Sequence, residues 1–389
     1  MELSKSAGSI KHSAIRRMFN KAMQYDHVIS FTLGEPDFTA SPNVVEAGCE
    51  AIREGKTKYS ANAGIVPLRE AVAASLKRDM DMEYDPATEI SITTGGMGAL
   101  FLTLKSLVNP GDEVIICEPY WTNYVQQVQM CDGVPVFVVC REDNDFMLDL
   151  KDLENAVTDK TKVLIINSPS NPTGSVLDEA TLSGIAEIAK AHDLVVISDE
   201  VYKTIVYDGL EYKSISQFPG MKERTVVVNS FSKGYAMTGW RVGYAAGPDW
   251  IIDCVTKLQE DVAACAAMPC QYAALEALTG SQEFNHYMVE KYAERRKVMV
   301  EKLNELPGVS CKAPKGTFYA FANIKELGLG SQDFADKLLE EKQVVVVPGT
   351  AFGKGGEGYI RLSYATDMKN IVEGLKLIGE FATELMNSK

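Results

Sequence analysis

Between residues 89 and 247 the chain alternates short β-branched or apolar runs with stretches of helical character. "EISITT" (89–94) precedes "GMGALFLTLKSLV" (96–108), "DEVIICE" (112–118) precedes "WTNYVQQVQM" (121–130), and "VPVFVVC" (134–140) precedes a helical segment near 149–157. "KVLIIN" (162–167), a helix over 179–192, "LVVIS" (194–198), "TVVVN" (225–229) and "VGYAAG" (242–247) continue the series, and a long helix is predicted over 249–279. Alternation of this kind predicts an α/β fold, with a mostly parallel sheet covered by helices on both faces.

After about residue 285 the pattern changes. A charged helix, "YMVEKYAERRKVMVEKL", leads to strands "TFYAFANI", "VVVVPG" and "YIRLSYA", with one helix among them and another at the C-terminus. That reads as a smaller α+β unit, which the first residues are expected to join, giving 1–44 (arm and part of the small domain), 45–285 (large domain) and 286–389 (small domain). Residues 10–23 are basic and amphipathic, with Ile10, Ile15, Met18, Phe19 and Met23 apolar. They predict a docking helix, the alternative being a transit peptide.

Composition narrows the partners. A chain of 389 residues has room for two domains, and 39 Lys and Arg against 53 Asp and Glu leave a net charge of −14. Such a surface repels phosphate backbones and anionic membranes, so no nucleic acid or membrane partner is expected. Eight cysteines without a CxxC pair read as buried thiols in a reducing compartment, so a cytoplasmic location is expected. The four histidines have no metal-pair spacing, so no metal is expected. No apolar stretch reaches membrane-spanning length.

Open α/β sheets bind ligands at the carboxyl ends of their strands. Those ends carry Gly95 and Gly96, Trp121, Asn171, Asp199 and Tyr202, and Ser230 with Lys233. The glycine pair before a helix start offers free N–H groups and a positive dipole end to a phosphate, to which Ser230 and Arg241 can add a hydroxyl and a cation. Arg241 lies between Trp240 and Val242, where an unpaired charge is costly. Asp199 follows an apolar run, so its ionised form needs a cation nearby, such as a protonated heterocyclic nitrogen. Lys233 can form an imine with an aldehyde, and burial lowers a lysine pKa toward the working range. Phosphate cradle, buried aspartate and buried lysine together match the needs of pyridoxal 5′-phosphate.

"LGEPDF" (33–38), "KYSANAGIVPLREAVA" (58–73), "NSPSNPTG" (167–174), "SDEVY" (198–202), "SFSKGYAMTGWRVGY" (230–244) and "YIRLSYA" (359–365) resemble the class I/II aminotransferases of fold type I, in the branch of bacterial and archaeal aspartate and aromatic aminotransferases. The resemblance runs over nearly the whole chain. It implies a large domain with a seven-stranded, mostly parallel sheet, a smaller α+β domain, and a homodimer with shared sites. It further implies that Lys233 holds the cofactor and shuttles the substrate proton, and that Asp199 keeps the ring nitrogen protonated. Tyr202 and Asn171 would bond the ring oxygen, and Trp121 would stack on the ring. Gly95, Gly96, Met97, Ser230 and Arg241 would cradle the phosphate, with Tyr59 reaching the neighbouring subunit's phosphate. Arg361, helped by Asn171 and the Gly34 backbone, would clamp the substrate carboxylate. The implied reaction moves an amino group from an amino acid to a 2-oxo acid such as 2-oxoglutarate.

One position departs from the pattern. Dicarboxylate-using members often carry lysine directly after the glycine pair, where this chain has Met97. That favours an aromatic or aliphatic donor over aspartate, unless Arg16, Arg17 or a neighbour's residue supplies the cation. Three other readings compete. Ser230 to Lys233 also fits the S-x-x-K of penicillin-binding enzymes, but "SDE" precedes it instead of S-D-N following it. "GGMG" lacks the full dinucleotide fingerprint. Within fold type I, a C–S β-lyase or a decarboxylase uses the same residues.

Overall fold

The computed structural model describes residues 14–388 together with 4, 7, 8 and 10. The chain enters through the helix Ala14–Ala22, whose Met18 is fully buried. Met23, just past its end, is 72 % exposed, and Ile10 is 37 % exposed. The apolar face expected over residues 10–23 therefore docks only through its middle, and residues 11–13 lie outside the described residues.

A two-residue strand β1 (Ile29–Ser30) follows, and then β2 (Ile90–Thr93), β3 (Glu113–Glu118), β4 (Val134–Val139), β5 (Thr161–Asn167), β6 (Val195–Asp199), β7 (Thr225–Ser230) and β8 (Gly243–Ala246). Strands β2 to β8 form one seven-stranded sheet in the order β2-β8-β7-β6-β5-β3-β4. All neighbours are parallel except those of β8, which runs antiparallel to β2 and β7. Alternate residues of β5 feed opposite cores. Val163 and Ile165 pack with the helices Gly95–Leu107, Asn123–Met130 and Asp249–Ala263, and Leu164 and Ile166 with Leu150–Ala156 and Glu179–Ala191. This two-sided burial explains why the strands read as continuous apolar runs.

The C-terminal part contributes β9 (Ser310–Cys311), β10 (Tyr319–Asn323), β11 (Val344–Val345), β12 (Val347–Pro348) and β13 (Tyr359–Ser363). They make an antiparallel sheet in the order β12-β13-β10-β9 and a separate parallel pair, β1 with β11. Met18 and Phe31 share one core with Tyr292, Phe318, Phe334 and Phe381. Lys21 also reaches Asp336 at 2.7 Å and Glu340 at 2.9 Å.

Two elements differ from expectation. The helix expected over 249–279 is two, Asp249–Ala263 and Met268–Thr279. Pro269 cannot donate the bond that a continuous helix requires, and Ala264 takes φ +58° at the break. The run "VVVVPG" splits between two sheets, β11 pairing with β1 and β12 with β13. Among the described residues, no helix is long and apolar enough to cross a membrane.

Candidate active site

The ends of β5, β6 and β7 and the start of the helix Gly95–Leu107 open onto a cavity of about 560 Å³. Gly34, Gly96, Met97, Trp121, Asn171, Asp199, Tyr202, Ser230, Lys233, Arg241 and Arg361 all line it. Gly95 stands directly behind, against Arg241. Tyr59 does not line it and is 85 % exposed.

Strand β6 is buried throughout and delivers Asp199 at its end. Burial pushes the Asp199 carboxyl up to about 6, while hydrogen bonds from Tyr124 and the Val201 N–H pull the other way. Tyr124 Oη donates to Oδ2 at 2.5 Å, and Val201 N donates to Oδ1 at 3.3 Å. The carbonyl of Asp199 accepts from Asn167 Nδ2 at 3.0 Å, and Asn167 Oδ1 accepts the Asn171 N–H at 2.8 Å. The main chain at the ends of β5 and β6 is thus locked together.

Strand β7 is also buried, and the short helix Phe231–Gly234 turns Lys233 into the cavity. Its Nζ donates to the Gly34 carbonyl. Burial lowers the ammonium to about 8. Arg361 and Arg241 push in the same direction, against Glu35 and Asp199.

One end of the cavity is built for an anion. The helix Gly95–Leu107 presents its N-terminus there, with Ser230 and Ser232 beside it, the two hydroxyls 2.8 Å apart. Gly95 has φ +71°, and a Cβ on it would stand 2.7 Å from Arg241 Nη2. A Cβ on Gly243 would stand 2.6 Å from the Gly96 nitrogen. Only glycine lets β8 and Arg241 approach the helix start so closely. Arg241 donates to the Thr238 carbonyl at 2.8 Å and pairs with no carboxylate among the described residues.

A second part of the lining is Arg361, delivered by β13 and 1 % exposed. Its Nη1 donates to Asn171 Oδ1 at 3.1 Å and its Nη2 to the Thr32 carbonyl at 2.8 Å. Its Nε is buried with no hydrogen-bond partner, and no described carboxylate pairs with the guanidinium. Burial lowers its pKa. A buried cation without a counter-ion is costly, so this part also awaits an anion.

The side walls bear on side-chain choice. Ile15, Leu33 and Met97 are apolar, with Met97 Sδ accepting from Asn123 Nδ2 at 3.3 Å. Arg16 also lines the cavity, over the Phe19 ring at 5.5 Å from its centroid. Arg17 turns away to Gln332. Of the two arginines weighed from the sequence, the fold brings only Arg16 to the site.

Sequence reasoning missed Tyr124, Tyr319 and Glu35, and left Ser232 without a role. Tyr124 sits in a helix where an aromatic reads as core packing, and its ring meets Trp121 edge-on at 5.4 Å. Tyr319 lies in an apolar strand, yet its hydroxyl is 3.0 Å from that of Tyr202. Ser232 had one usable signal, its place two residues from Ser230 in the same short turn.

A doubly covered, mostly parallel sheet with lysine and aspartate at its strand ends, and two arginines without acidic partners lining the same cavity, defines a class, and the chain belongs to the class I and II aminotransferases, whose family model matches residues 26–378. Enzymes of this family depend on pyridoxal phosphate. The chain is 44 % identical to the aspartate aminotransferase of Pyrococcus abyssi, over 96 % of this chain and 97 % of that one. It is 42 % identical to aromatic-amino-acid aminotransferase 2 of Thermococcus litoralis, with the same coverage of 96 % and 97 %. The crystal structure of the aromatic aminotransferase from Pyrococcus horikoshii superposes with a TM-score of 0.90 at 42 % identity, covering 94 % of this chain and 99 % of that one. The chain is accordingly an aminotransferase of fold type I. The hydrolase and dinucleotide readings fall away, and nothing in these relatives favours a lyase or decarboxylase.

Proposed function

We propose that this protein binds pyridoxal phosphate in the described cavity and transfers the amino group of an L-amino acid to a 2-oxo acid in two half-reactions. One observation carries the reading: a lysine lowered to about 8 stands between two arginines that lack acidic partners, one at a helix N-terminus and one fully buried.

The residues fit the group. Gly95, Gly96, Met97, Ser230 and Arg241 would hold the phosphate, Asp199 the ring nitrogen, Tyr202 and Asn171 the ring oxygen, and Trp121 the ring face. When bound, pyridoxal phosphate supplies an aldehyde that captures amines and a protonated ring that accepts electrons from the substrate carbon. The buried Asp199 carboxylate gains its missing cation from that ring nitrogen. Arg361 fixes the substrate carboxylate through two parallel N–H bonds, with Asn171 and the Gly34 backbone beside it. That contact would orient the substrate so that Lys233 can reach its Cα proton. Lys233 Nζ, neutral in part because of its lowered pKa, would take the Cα proton and return it to the former aldehyde carbon, two atoms away.

Exposure of Tyr59 supports a homodimer in which it completes the neighbouring subunit's phosphate site. Free cysteines support a cytoplasmic location. The division at residues 44 and 285 stays our proposal for the domains. For the donor, apolar Met97, Ile15 and Leu33 support an aromatic or aliphatic side chain, and Arg16 supports a dicarboxylate such as aspartate or 2-oxoglutarate in the same cavity. In the test, Lys233→Ala should end multiple turnover while the circular dichroism spectrum and oligomeric state stay those of the parent. Sustained turnover by that variant would overturn the assignment.

A further inference from the structure

Tyr319 opens β10, which pairs antiparallel with β13 so that Tyr319 faces Ser363 and Phe321 faces Arg361. It is 1 % exposed and lines the cavity. Its two ends do different things. The hydroxyl lies 3.0 Å from the Tyr202 hydroxyl, while the face of the ring lies 4.3 Å from the Arg361 guanidinium carbon. Phe352 covers the guanidinium at 5.0 Å, so the arginine is held by two aromatic faces. The position is enforced by the backbone opposite. A Cβ on Gly34 would stand 2.9 Å from the Tyr319 hydroxyl, so a glycine there is what leaves room for the phenol.

We propose that Tyr319 is a positioning residue that ties the two halves of the site together, its hydroxyl orienting Tyr202 toward the cofactor and its ring holding Arg361 ready for the substrate carboxylate. Two hydroxyls sharing one hydrogen bond leave one proton for a third partner. Either oxygen can be the donor at 3.0 Å, and the arrangement with Tyr319 donating leaves the Tyr202 proton free to turn into the cavity. The ring serves the arginine by a separate route. Beside its bonds to Asn171 and the Thr32 carbonyl, the guanidinium gains stabilisation from π faces, which attract the cation without neutralising it. An acidic partner in the same place would compete with the substrate. Tyr319 so supports a cation that stays available to an anion.

The inference rests on the proposed function, and the test separates the two. Tyr319→Phe removes the hydroxyl and keeps the ring; Tyr319→Leu removes both. Two equilibria are read on each protein, with thermal melting as a check on folding. These are the dissociation constant of pyridoxal phosphate from the apoprotein and, on the loaded enzyme, that of maleate, a carboxylate that cannot be transaminated. Tyr319→Phe should weaken cofactor binding roughly 2- to 10-fold, the range of one neutral hydrogen bond, with maleate binding within about 2-fold of the parent. Tyr319→Leu should in addition weaken maleate roughly 2- to 30-fold, the range of a cation–π contact. Restoration of maleate binding by phenylalanine, with cofactor affinity still reduced, is a split that a merely structural role would not produce. Equal loss of maleate affinity in both variants, or unchanged cofactor affinity in Tyr319→Phe, overturns the inference. A parent protein that takes up no pyridoxal phosphate overturns the proposed function itself.

Discussion

Replacing Tyr124 by phenylalanine isolates one hydrogen bond to the buried Asp199. The phenol donates to Oδ2 at 2.5 Å, the ring packs edge-on against Trp121 at 5.4 Å, and phenylalanine keeps that packing. Asp199 stands at about 6 because burial outweighs the bonds from Tyr124 and Val201. A hydrogen bond to a charged group contributes about 1.5–3 kcal/mol, and each pKa unit is about 1.4 kcal/mol. Losing the bond should therefore lift Asp199 by roughly one to two units, to about 7–8. The assay is binding of a pyridoxal phosphate analogue without the aldehyde, measured from pH 5 to 9, so that Lys233 cannot react with the ligand. The ligand's own titration is common to both proteins. Since a ring cation pairs only with ionised Asp199, affinity should climb with pH through the Asp199 midpoint, and the climb should move up by roughly one to two units in the variant. Superimposable profiles would show that Tyr124 does not hold the carboxylate ionised.

Other outcomes follow from the same geometry. Asp199→Asn should stabilise the apoprotein at neutral pH by up to about 3 kcal/mol, two units of raised pKa at about 1.4 each, and the gain should shrink below about pH 6 as the parent carboxyl protonates; thermal melting of apoprotein across pH reads it. With Lys233 at about 8, roughly a tenth of it is neutral at pH 7, against about one part in three thousand for an ordinary lysine. The rate at which apoprotein captures the cofactor aldehyde should accordingly level off above about pH 8, and a rate still climbing beyond pH 10 would contradict the lowered value. Arg361→Met should weaken binding of an unreactive carboxylate by about a hundredfold or more, two charged hydrogen bonds at about 1.5–3 kcal/mol each. A loss below tenfold places the carboxylate elsewhere. Met97→Lys should raise kcat/KM for aspartate relative to phenylalanine, and Arg16→Met should lower it; unchanged ratios in both would remove these two residues from donor selection.

Much of the fold was legible because burial on both faces of a parallel sheet writes each strand as a short apolar run. Lys233, Asp199 and Arg241 stood out for the same physical reason, being charges set in or beside such runs, where they need a partner. What could not be read was non-local. The four valines at 344–347 look like one strand, and only the positions of β1 and β13 divide them. Tyr124 and Tyr319 look like core aromatics, since a phenol in an apolar pattern carries no mark of the carboxylate or guanidinium that folding brings to it. Arg16 and Arg17 are adjacent in the chain, and only the docking of the helix Ala14–Ala22 through Met18 decides which one faces the cavity.

Mixing the cofactor-loaded protein with single L-amino acids in the absence of any 2-oxo acid isolates the first half-reaction. An aminotransferase should lose the visible cofactor band and release one equivalent of 2-oxo acid per site, after which the reaction stops until a second 2-oxo acid is added. Continuous release of ammonia or carbon dioxide without an acceptor, or a band that no amino acid alters, would contradict that assignment.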